Sequence, residues 1–281
     1  MATYLRPHLL SDAVEALAAG PLVVLAGGTD HYPARVGRTL DEAILDITGL
    51  DALDGIEERA EHWRIGALTR WATLRDAPLP GWFDGLREAA REVGGRQIQE
   101  SGTIGGNLCN ASPAADGVPP LLALDAAVEL TGPAGVEVRP LPGFILGNRS
   151  TARRPDQLLT AVLVPKPTQQ RARSCFRKLG ARRYLVISIV MAAAALEVDG
   201  NGVIREARLA IGACSPVALR LPAAEAALRG RPVASDPAAR IEAAHLAALA
   251  PIDDVRADAR YRRATALTLL RRTVAELAEV V

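Results

Sequence analysis

Two glycine-rich segments of the chain carry the residue types that bind phosphate groups. The first segment consists of Ala26, Gly27, Gly28, Thr29 and Asp30. The second segment consists of Thr103, Ile104, Gly105, Gly106 and Asn107. Successive backbone N–H groups in a tight turn form a concave site for an anion, and glycine lets the backbone approach that anion closely. The hydroxyl and amide side chains of the segments add short hydrogen-bonding groups, so together the segments predict a pyrophosphate site.

Each segment is a weak signal when it is taken alone. Gly-Gly beside Thr or Asn also occurs in ordinary turns, which is the simpler interpretation of either segment. Neither segment forms a G-x-G-x-x-G or a G-x-x-x-x-G-K-[ST] motif, so the fingerprints of those dinucleotide and P-loop sites are absent. Two such segments far apart in the sequence indicate a cofactor that lies between two small subdomains.

Short strands and helices surround both segments. Apolar and β-branched runs predict strands at residues 22–25, 43–47, 63–67, 127–130, 136–138 and 158–164. Apolar residues at helical spacing predict a helix over residues 83–93, and a polar, glycine-rich loop over residues 94–116 follows it. The first segment directly follows the first strand, and the second segment lies within the long loop.

The pattern of the chain changes near residue 170. Residues 173–214 are strand-like, with a hairpin turn predicted at residues 199–202 between two long strands. Helices rich in alanine and arginine follow. A mixed α and β part followed by a small antiparallel sheet with helices predicts the α+β class.

The composition of the 281-residue chain narrows the class of protein. Its formal net charge of +1 provides no field that would steer it to nucleic acid, and we expect no nucleic-acid partner. The N-terminus lacks the features of a signal peptide, and the longest apolar run, residues 185–196, is too short to span a bilayer. The three cysteines form no C-x-x-C pair, so we expect no metal site within the chain and a reducing, cytoplasmic location.

The two glycine-rich segments belong to longer strings that resemble the motifs of a known family. LVVLAGGTD at residues 22–30 and SGTIGGNLCNASPAAD at residues 101–116 resemble the paired FAD signatures of the flavoprotein subunit of molybdenum hydroxylases, the xanthine dehydrogenase and carbon monoxide dehydrogenase type. The resemblance extends over the whole chain, including FRKLGARR at residues 176–183 and IDDVR at residues 252–256.

The resemblance implies a fold and a domain plan. The fold is the two-subdomain FAD-binding fold of the vanillyl-alcohol oxidase (PCMH) type, in which FAD lies extended between two α+β subdomains. The plan has an FAD-binding domain at residues 1–170, with subdomains at about 1–55 and 56–170. A C-terminal α+β flavoprotein domain, a small antiparallel sheet with helices, occupies residues 171–281.

The resemblance also implies roles for single residues. Both glycine-rich segments become pyrophosphate loops, and Asp116 becomes an acceptor for ribityl or ribose hydroxyls. Leu159 and Lys178 become neighbours of the flavin ring, where the Lys178 cation would stabilise reduced, anionic flavin. From the residues alone, Asp116 is also a candidate helix cap and Lys178 a candidate solvated lysine. Contact with flavin, partner or solvent stays open for four more residues: His31, Arg182, Arg183 and Tyr184.

The function that the resemblance implies is electron transfer through FAD. Electrons would come from a two-iron two-sulfur cluster in a small partner subunit, fed by a molybdopterin centre in a large partner subunit. NAD+, a quinone, a carrier protein or dioxygen would accept them. We expect a dimer of heterotrimers, no catalytic acid, base or nucleophile in this chain, and no transmembrane segment; peripheral association with the inner membrane face through partners is left open.

Three other functions are compatible with the same fold. A self-sufficient FAD-dependent oxidase would have its own substrate domain, for which the C-terminal part is short. An NAD(P)H diaphorase would have its flavin reduced directly by NADH. A non-enzymatic regulatory protein would have lost the flavin, against which the intact glycines of both segments argue.

Overall fold

The structure is a computed structural model that describes residues 3–37 and 41–281. Its strands in chain order are β1 (Tyr4–Leu5), β2 (Val23–Leu25), β3 (Ile44–Asp46), β4 (Ile56–Glu58), β5 (His62–Gly66), β6 (Ala127–Gly132), β7 (Gly135–Pro140), β8 (Ile145–Gly147), β9 (Ser150–Thr151), β10 (Leu158–Pro165), β11 (Arg171–Leu179), β12 (Val190–Val198), β13 (Ile204–Gly212) and β14 (Leu219–Arg220). Its α-helices are α1 (Leu10–Ala19), α2 (Trp71–Asp76), α3 (Asp84–Glu92), α4 (Arg96–Ser101), α5 (Ile104–Asn110), α6 (Val118–Ala123), α7 (Pro222–Leu228) and α8 (Ala259–Val280). Turns of 3₁₀ helix lie at Pro33–Arg35, Asp51–Leu53, Gly81–Phe83, Val233–Ser235, Pro237–Arg240 and Ala243–Leu246.

A small parallel sheet with the strand order β1-β3-β2 forms the N-terminal part. Ala13 and Leu17 of α1 are four positions apart and therefore lie on one face of the helix. That face packs into a core with Leu45 and Ile47. Strand β2 ends at Leu25, so the first glycine-rich segment emerges at the edge of this sheet.

A five-stranded antiparallel sheet forms the second layer, in the order β4-β5-β10-β6-β7. Its central strand, β10, is buried over most of its length because it pairs on both sides and carries helices on one face. The core between this sheet and the helices contains the large side chains Trp71, Trp82, Phe83, Phe144 and Ile104. Helix α5, which carries the second glycine-rich segment, packs on β10.

The C-terminal part is a four-stranded antiparallel sheet with the order β11-β12-β13-β14. All nine residues of β12 are buried, because α8 covers the strand and α6 also packs on it. The predicted hairpin between β12 and β13 is present, and Gly202 at its end has a φ of 77°. The small antiparallel sheet with helices confirms the predicted α+β class.

The structure differs from the sequence-based prediction between residues 94 and 116. Two helices, α4 and α5, occupy most of the segment that the sequence predicts as a loop. The side chain of Thr103 caps α5 by accepting a hydrogen bond from Gly106 N at 3.1 Å. Ile104 and Leu108, one helical turn apart, are fully buried, so tertiary packing outweighs the low helix propensity of the two glycines. Across residues 3–37 and 41–281, no helix is both long enough and apolar enough to cross a membrane.

Candidate functional site

A cavity of about 460 Å³ lies where the N-terminal sheet meets the helices of the second layer. Its volume is within the range of about 300–1,000 Å³ that is typical of small-molecule and cofactor sites. Ten of the residues predicted from the sequence line it: Ala26, Gly27, Gly28, Thr29, Asp30, Thr103, Gly105, Gly106, Asn107 and Leu159. The cavity therefore brings together two segments that are more than seventy positions apart in the chain.

The first glycine-rich segment provides unused hydrogen-bond donors. Gly28 has a φ of 70°, a left-handed conformation that turns the chain after β2. The turn is closed by Tyr32 N, which donates to Gly28 O at 3.1 Å. Within the part of the chain that the structure describes, none of the backbone N–H groups of residues 26–30 donates to a protein acceptor. Five successive donors in the cavity wall are thus available to an anionic ligand.

Gly27 is required by the packing of the two segments against each other. A Cβ atom on Gly27 would overlap the carbonyl oxygen of Ser101, and it would lie 3.0 Å from Gly102 Cα. Because both obstacles are backbone atoms, no side-chain rotation can relieve the overlap. The glycine at this position therefore allows close approach of two backbones and sets the width of the cavity there.

The second glycine-rich segment offers side chains rather than backbone donors. Ile104 N donates to Thr69 O at 3.0 Å and Gly105 N donates to Ala67 O at 2.9 Å. Asn107 N donates to Thr103 O at 3.0 Å, and Gly106 N is taken by the Thr103 hydroxyl. The backbone N–H groups of residues 104–107 are thus engaged within the protein, and those of Ile104 and Gly105 hold α5 against its neighbours. The Ile104 side chain is fully buried in the core and does not line the cavity.

Two buried polar atoms in the cavity wall lack a hydrogen-bond partner among the described residues. They are His31 Nε2 and Asn107 Oδ1. A buried polar atom without a partner costs about 1–3 kcal/mol, so such atoms indicate a site where a ligand supplies the partner. Burial and the nearby Arg35 lower the pKa of His31, which is therefore neutral at pH 7 and able to donate or accept at Nε2.

Asp116 and Lys178 form a buried salt bridge and do not line the cavity. Lys178 Nζ lies 2.9 Å from Asp116 Oδ1 and 3.0 Å from Oδ2, with side-chain exposures of 5% and 11% for the lysine and the aspartate. Ser188 donates a further hydrogen bond to Asp116. Burial raises the pKa of Asp116 to about 6, although the Lys178 cation lowers it. Lys178 is thus not a solvated lysine, and α6 has no side-chain cap from Asp116.

The salt bridge lies directly behind the wall of the cavity. Lys178 Nζ also lies 3.4 Å from the carbonyl oxygen of Glu92, whose neighbour Val93 lines the cavity. On the other side, a Cβ atom on Gly117, the residue after Asp116, would lie 3.0 Å from Asn107 Oδ1. The pair thus lies close to the cavity, next to residues that adjoin the lining residues Val93 and Asn107.

The remaining candidates lie outside the cavity, and several lining residues were not predicted. Tyr184 is 63% exposed, and Arg182 donates to Leu185 O in the same exposed segment. The cavity lining that the sequence did not indicate includes Arg35, Asn110, Arg149 and Arg153. Asn110 lies within the string at residues 101–116 but was not singled out, and no local signal marks Arg149 and Arg153, because the segment around β9 reaches the cavity through tertiary packing. In the described ranges, no group of three or more His, Cys, Asp or Glu side chains is placed to hold a metal ion.

Comparison with known protein families places both parts of the chain. Residues 1–167 match the family "FAD binding domain in molybdopterin dehydrogenase". Residues 159–277 match the family "CO dehydrogenase flavoprotein C-terminal domain". The resemblance that residues 22–30 and 101–116 carry is confirmed by the first of these matches.

Individual relatives are similar over nearly their whole length. The xanthine dehydrogenase FAD-binding subunit of Escherichia coli O157:H7 is 31% identical, over 98% of this chain and 95% of the relative. The carbon monoxide dehydrogenase medium chain of Afipia carboxidovorans is 32% identical, over 96% of this chain and 94% of the relative. A solved structure of reconstituted CO dehydrogenase from Oligotropha carboxidovorans superposes with a TM-score of 0.92 at 29% identity, covering 100% of this chain and 99% of that one. The chain belongs to the family of FAD-binding subunits of molybdenum hydroxylases, and FAD is its cofactor.

Proposed function

We propose that this chain holds one FAD in the cavity and carries electrons from an iron–sulfur partner subunit to an external acceptor. The observation that carries this proposal is the wall of the cavity, which combines free backbone donors of residues 26–30 with two unpaired polar atoms, His31 Nε2 and Asn107 Oδ1. When bound, FAD supplies reversible redox chemistry that connects one-electron and two-electron partners.

The two glycine-rich segments have different tasks in this proposal. The five free N–H groups of residues 26–30 donate to the diphosphate, whose charge and acceptor oxygens suit a concave array of donors. The hydroxyl of Thr103 and the amide of Asn107 contact the same cofactor through side chains. Since Asn107 Oδ1 is an acceptor, its partner is a hydroxyl group of the ribityl or ribose part rather than a phosphate oxygen.

The flavin end of the cofactor is assigned to Leu159, with the Asp116–Lys178 pair behind it. Leu159 is 3% exposed in the protein and lines the cavity, so it provides an apolar surface for a ring. Lys178 acts on the ring through space, because it is bound to Asp116 and does not line the cavity. The positive charge of Lys178 favours the anionic reduced form of a flavin, and the Asp116 carboxylate offsets part of this effect.

The partners follow from the names of the relatives. One relative is a carbon monoxide dehydrogenase medium chain and another is a subunit of a 6-hydroxypseudooxynicotine dehydrogenase complex, so both work within multi-subunit enzymes. We propose for this chain a large molybdopterin-binding subunit and a small two-iron two-sulfur subunit, assembled as a dimer of heterotrimers in the cytoplasm. NAD+, a quinone, a carrier protein or dioxygen takes the electrons away. Residues 1–170 act as the FAD-binding domain and residues 171–281 as the C-terminal flavoprotein domain.

Purification from the native host tests this function. The expected result is a yellow complex that contains FAD, molybdenum and iron, in which the bound flavin is bleached by the substrate of the large subunit only while all subunits are present. Two outcomes contradict the proposal: a chain that oxidises a small substrate by itself, and a chain that purifies alone and without flavin. Direct bleaching by NADH of a yellow chain that purifies without molybdenum or iron partners would instead favour a diaphorase.

A further inference from the structure

A second, open groove lies on the surface beside the cofactor cavity. It is lined by the C-terminal ends of α2 and α3, the first turn of α4 and the segment between β11 and β12. Residues 94–96 line the groove, while Val93 and Ile98 on either side of them line the cofactor cavity. A Cβ atom on Gly95 would lie 3.0 Å from Leu185 Cδ2, so the segment between β11 and β12 packs directly on this stretch. Residues 93–98 therefore contribute to the groove and to the cofactor cavity alike.

Positive charge predominates in the groove. Three arginines line it, Arg75, Arg91 and Arg96. Arg75 is neutralised, because its Nη2 lies 2.6 Å from Asp76 Oδ2 and 3.9 Å from Glu100 Oε1. Within residues 3–37 and 41–281, the exposed side chains of Arg91 and Arg96 form no salt bridge and no hydrogen bond. Arg75 and, to a lesser extent, Arg96 and Arg91 lower the pKa of Asp76. Two guanidinium groups are thus free to meet an anionic surface.

The segment between β11 and β12 adds exposed apolar side chains and two further arginines. Tyr184, Leu185 and Ile187 are 63%, 58% and 54% exposed. Leu185 has a φ of 52°, a left-handed conformation that is unfavourable for a bulky residue, and Arg182 Nε donates to its carbonyl oxygen at 3.1 Å. The Arg183 guanidinium lies 5.3 Å from the centroid of the Tyr184 ring. The segment therefore presents large apolar side chains to solvent next to the free arginines.

The composition of this surface is typical of a protein interface. Aromatic residues and arginine are enriched in such interfaces, and grouped exposed apolar side chains indicate an interaction site. A small-molecule site would instead contain buried polar atoms without a partner, as His31 Nε2 and Asn107 Oδ1 are in the cofactor cavity. Among the described residues, the groove contains no such atom. Its buried amide, Gln99, accepts from Arg75 and donates to Arg91 O.

We propose that the docking surface formed by Arg91, Arg96 and residues 182–187 binds an acidic electron-carrier protein that takes electrons from FAD. The inference rests on the proposed function, and it selects the carrier protein among the possible acceptors. An acidic face complements the arginines, and complementary charge speeds the encounter of two proteins. Two one-electron carriers in succession take up the two electrons of one reduced flavin, and the proton of its anionic form goes to water. Because residues 93–98 also line the cofactor cavity, a protein bound here lies beside that cavity.

Anaerobic electron transfer from the assembled complex to two forms of one protein tests this inference. The probes are native cytochrome c, which is basic, and succinylated cytochrome c, in which carboxylates replace the lysine charges. The complex is reduced with titanium citrate, freed of reductant and mixed with each probe in a stopped-flow instrument. We expect the rate constant for the succinylated form to fall between about 0.01 and about 0.15 M ionic strength, because the Debye length shortens from about 30 to about 8 Å.

Two double variants remove or reverse the charge of the docking surface. Arg91→Gln combined with Arg96→Gln should lower the rate constant for succinylated cytochrome c about five- to tenfold at low ionic strength. Arg91→Glu combined with Arg96→Glu should lower it further and raise the rate constant for the native form. Since neither arginine forms a salt bridge or a hydrogen bond within the described ranges, the melting temperature should not change.

Arg260→Gln combined with Arg272→Gln is the matched control. Both arginines are exposed on α8, outside the groove, and form no salt bridge in the part of the chain that the structure describes. The control makes the same change in net charge as the first double variant, but it should leave the rate constant for succinylated cytochrome c unchanged. Duroquinone, a small neutral acceptor, should be reduced at the wild-type rate by every variant, because its encounter needs no charge.

Three results overturn the inference. The first is an unchanged rate constant for succinylated cytochrome c in both Arg91 and Arg96 double variants. The second is an equal loss in the α8 control, which would be an effect of net charge alone. The third is a loss that is confined to the reduction of NAD+, which would assign the groove to a small phosphorylated acceptor. If the wild-type complex still reduces duroquinone, only this inference fails; if it contains no FAD, the proposed function fails with it.

Discussion

Lys178 Nζ lies 2.9 Å from Asp116 Oδ1, across 62 positions of the chain, and the contact joins the C-terminal sheet to the loop ahead of α6. The two side chains are largely buried, with exposures of 5% and 11%, so a partner left alone is poorly solvated. Removing one member of a buried pair costs about 3–5 kcal/mol, since the other charge is left uncompensated. The pair therefore contributes both to the stability of the contact between the C-terminal sheet and the loop ahead of α6 and to the electrostatic environment of the flavin.

We predict that Lys178→Ala leaves FAD bound but lowers its reduction potential in a pH-dependent way. Without the lysine, the pKa of Asp116 rises above its value of about 6, because the cation that lowers it is gone. Well above that pKa the site carries an uncompensated negative charge, which disfavours reduced, anionic flavin. The potential should drop by on the order of 30 mV at pH 9, equivalent to about 1.4 kcal/mol for a two-electron couple, and lie closest to the wild-type value near pH 7, where the ionised pair of the wild type and the protonated Asp116 of the variant are both close to neutral.

Lys166→Ala is the control for that measurement, which is a spectroelectrochemical titration. Lys166 pairs with Glu58 at 2.6 Å and lies over the Trp63 ring, outside the cavity lining. Its loss should not change the potential at either pH. An unchanged potential in Lys178→Ala at pH 9 would remove Lys178 from the flavin site.

The titration of Asp116 predicts the pH dependence of stability. Its pKa is raised from 3.8 to about 6 in the folded protein, so the folded state binds this proton more tightly than the unfolded state. Protonation of Asp116 therefore stabilises the folded protein by on the order of 3 kcal/mol. This stabilisation is fully present below about pH 4 and is lost as the pH rises through 6. Urea unfolding of the wild type and of Asp116→Asn between pH 4 and 7 measures this. As the pH rises, the free energy of unfolding should decrease more for the wild type than for the variant. If the free energies of the two proteins depend on pH in the same way, the raised pKa of Asp116 is contradicted.

Gly27→Ala should disrupt the cavity without adding any charge. The new Cβ would overlap Ser101 O, a backbone atom, so the first glycine-rich segment has to move away from α4. We expect a loss of about 1–3 kcal/mol in the free energy of unfolding and less than one FAD per chain. Gly20→Ala serves as the control, because no atom lies within 4 Å of a Cβ there and the backbone is extended. Full flavin content in Gly27→Ala would show that the two segments do not approach each other as described.

Asn107→Leu should separate the stability of the protein from its affinity for FAD. The side chains have similar shapes, and Asn107 Oδ1 is buried without a partner in the described part of the protein. Leucine removes that unpaired acceptor, so the FAD-free protein should be as stable as the wild type or more stable. FAD should bind about tenfold more weakly, as measured by quenching of flavin fluorescence. A variant that binds FAD with wild-type affinity would show that the amide does not contact the cofactor.

The sequence was sufficient to locate the glycine-rich segments but not to describe how they work. Residues 26–30 follow a short strand, as predicted, because a β-branched run ended by Gly-Gly is a local signal. The helix that begins at Ile104 was not predicted, since its glycines have low helix propensity and its formation depends on the carbonyl groups of Ala67 and Thr69. The backbone N–H groups of residues 104–107, which were expected to bind phosphate, are consequently engaged within the protein.

The charged groups of the site were the hardest to foresee. Lys178 and Asp116 were each singled out, but their mutual pairing depends on how the C-terminal sheet packs against the loop ahead of α6. Arg149 and Arg153 are two arginines among many in the sequence, and their segment reaches the cavity through tertiary contacts that include the hydrogen bond from Arg149 N to Asn110 O. Their position is a property of the tertiary structure, which no local pattern encodes.

The contact between Gly27 and Ser101 limits how this protein can be redesigned. Main-chain atoms stand on both sides at that point, so no exchange of side chains can make the gap between them wider. A bulkier cofactor analogue would have to be accommodated elsewhere along the cavity, for example beside Leu159, where the wall consists of a side chain that a smaller residue can replace.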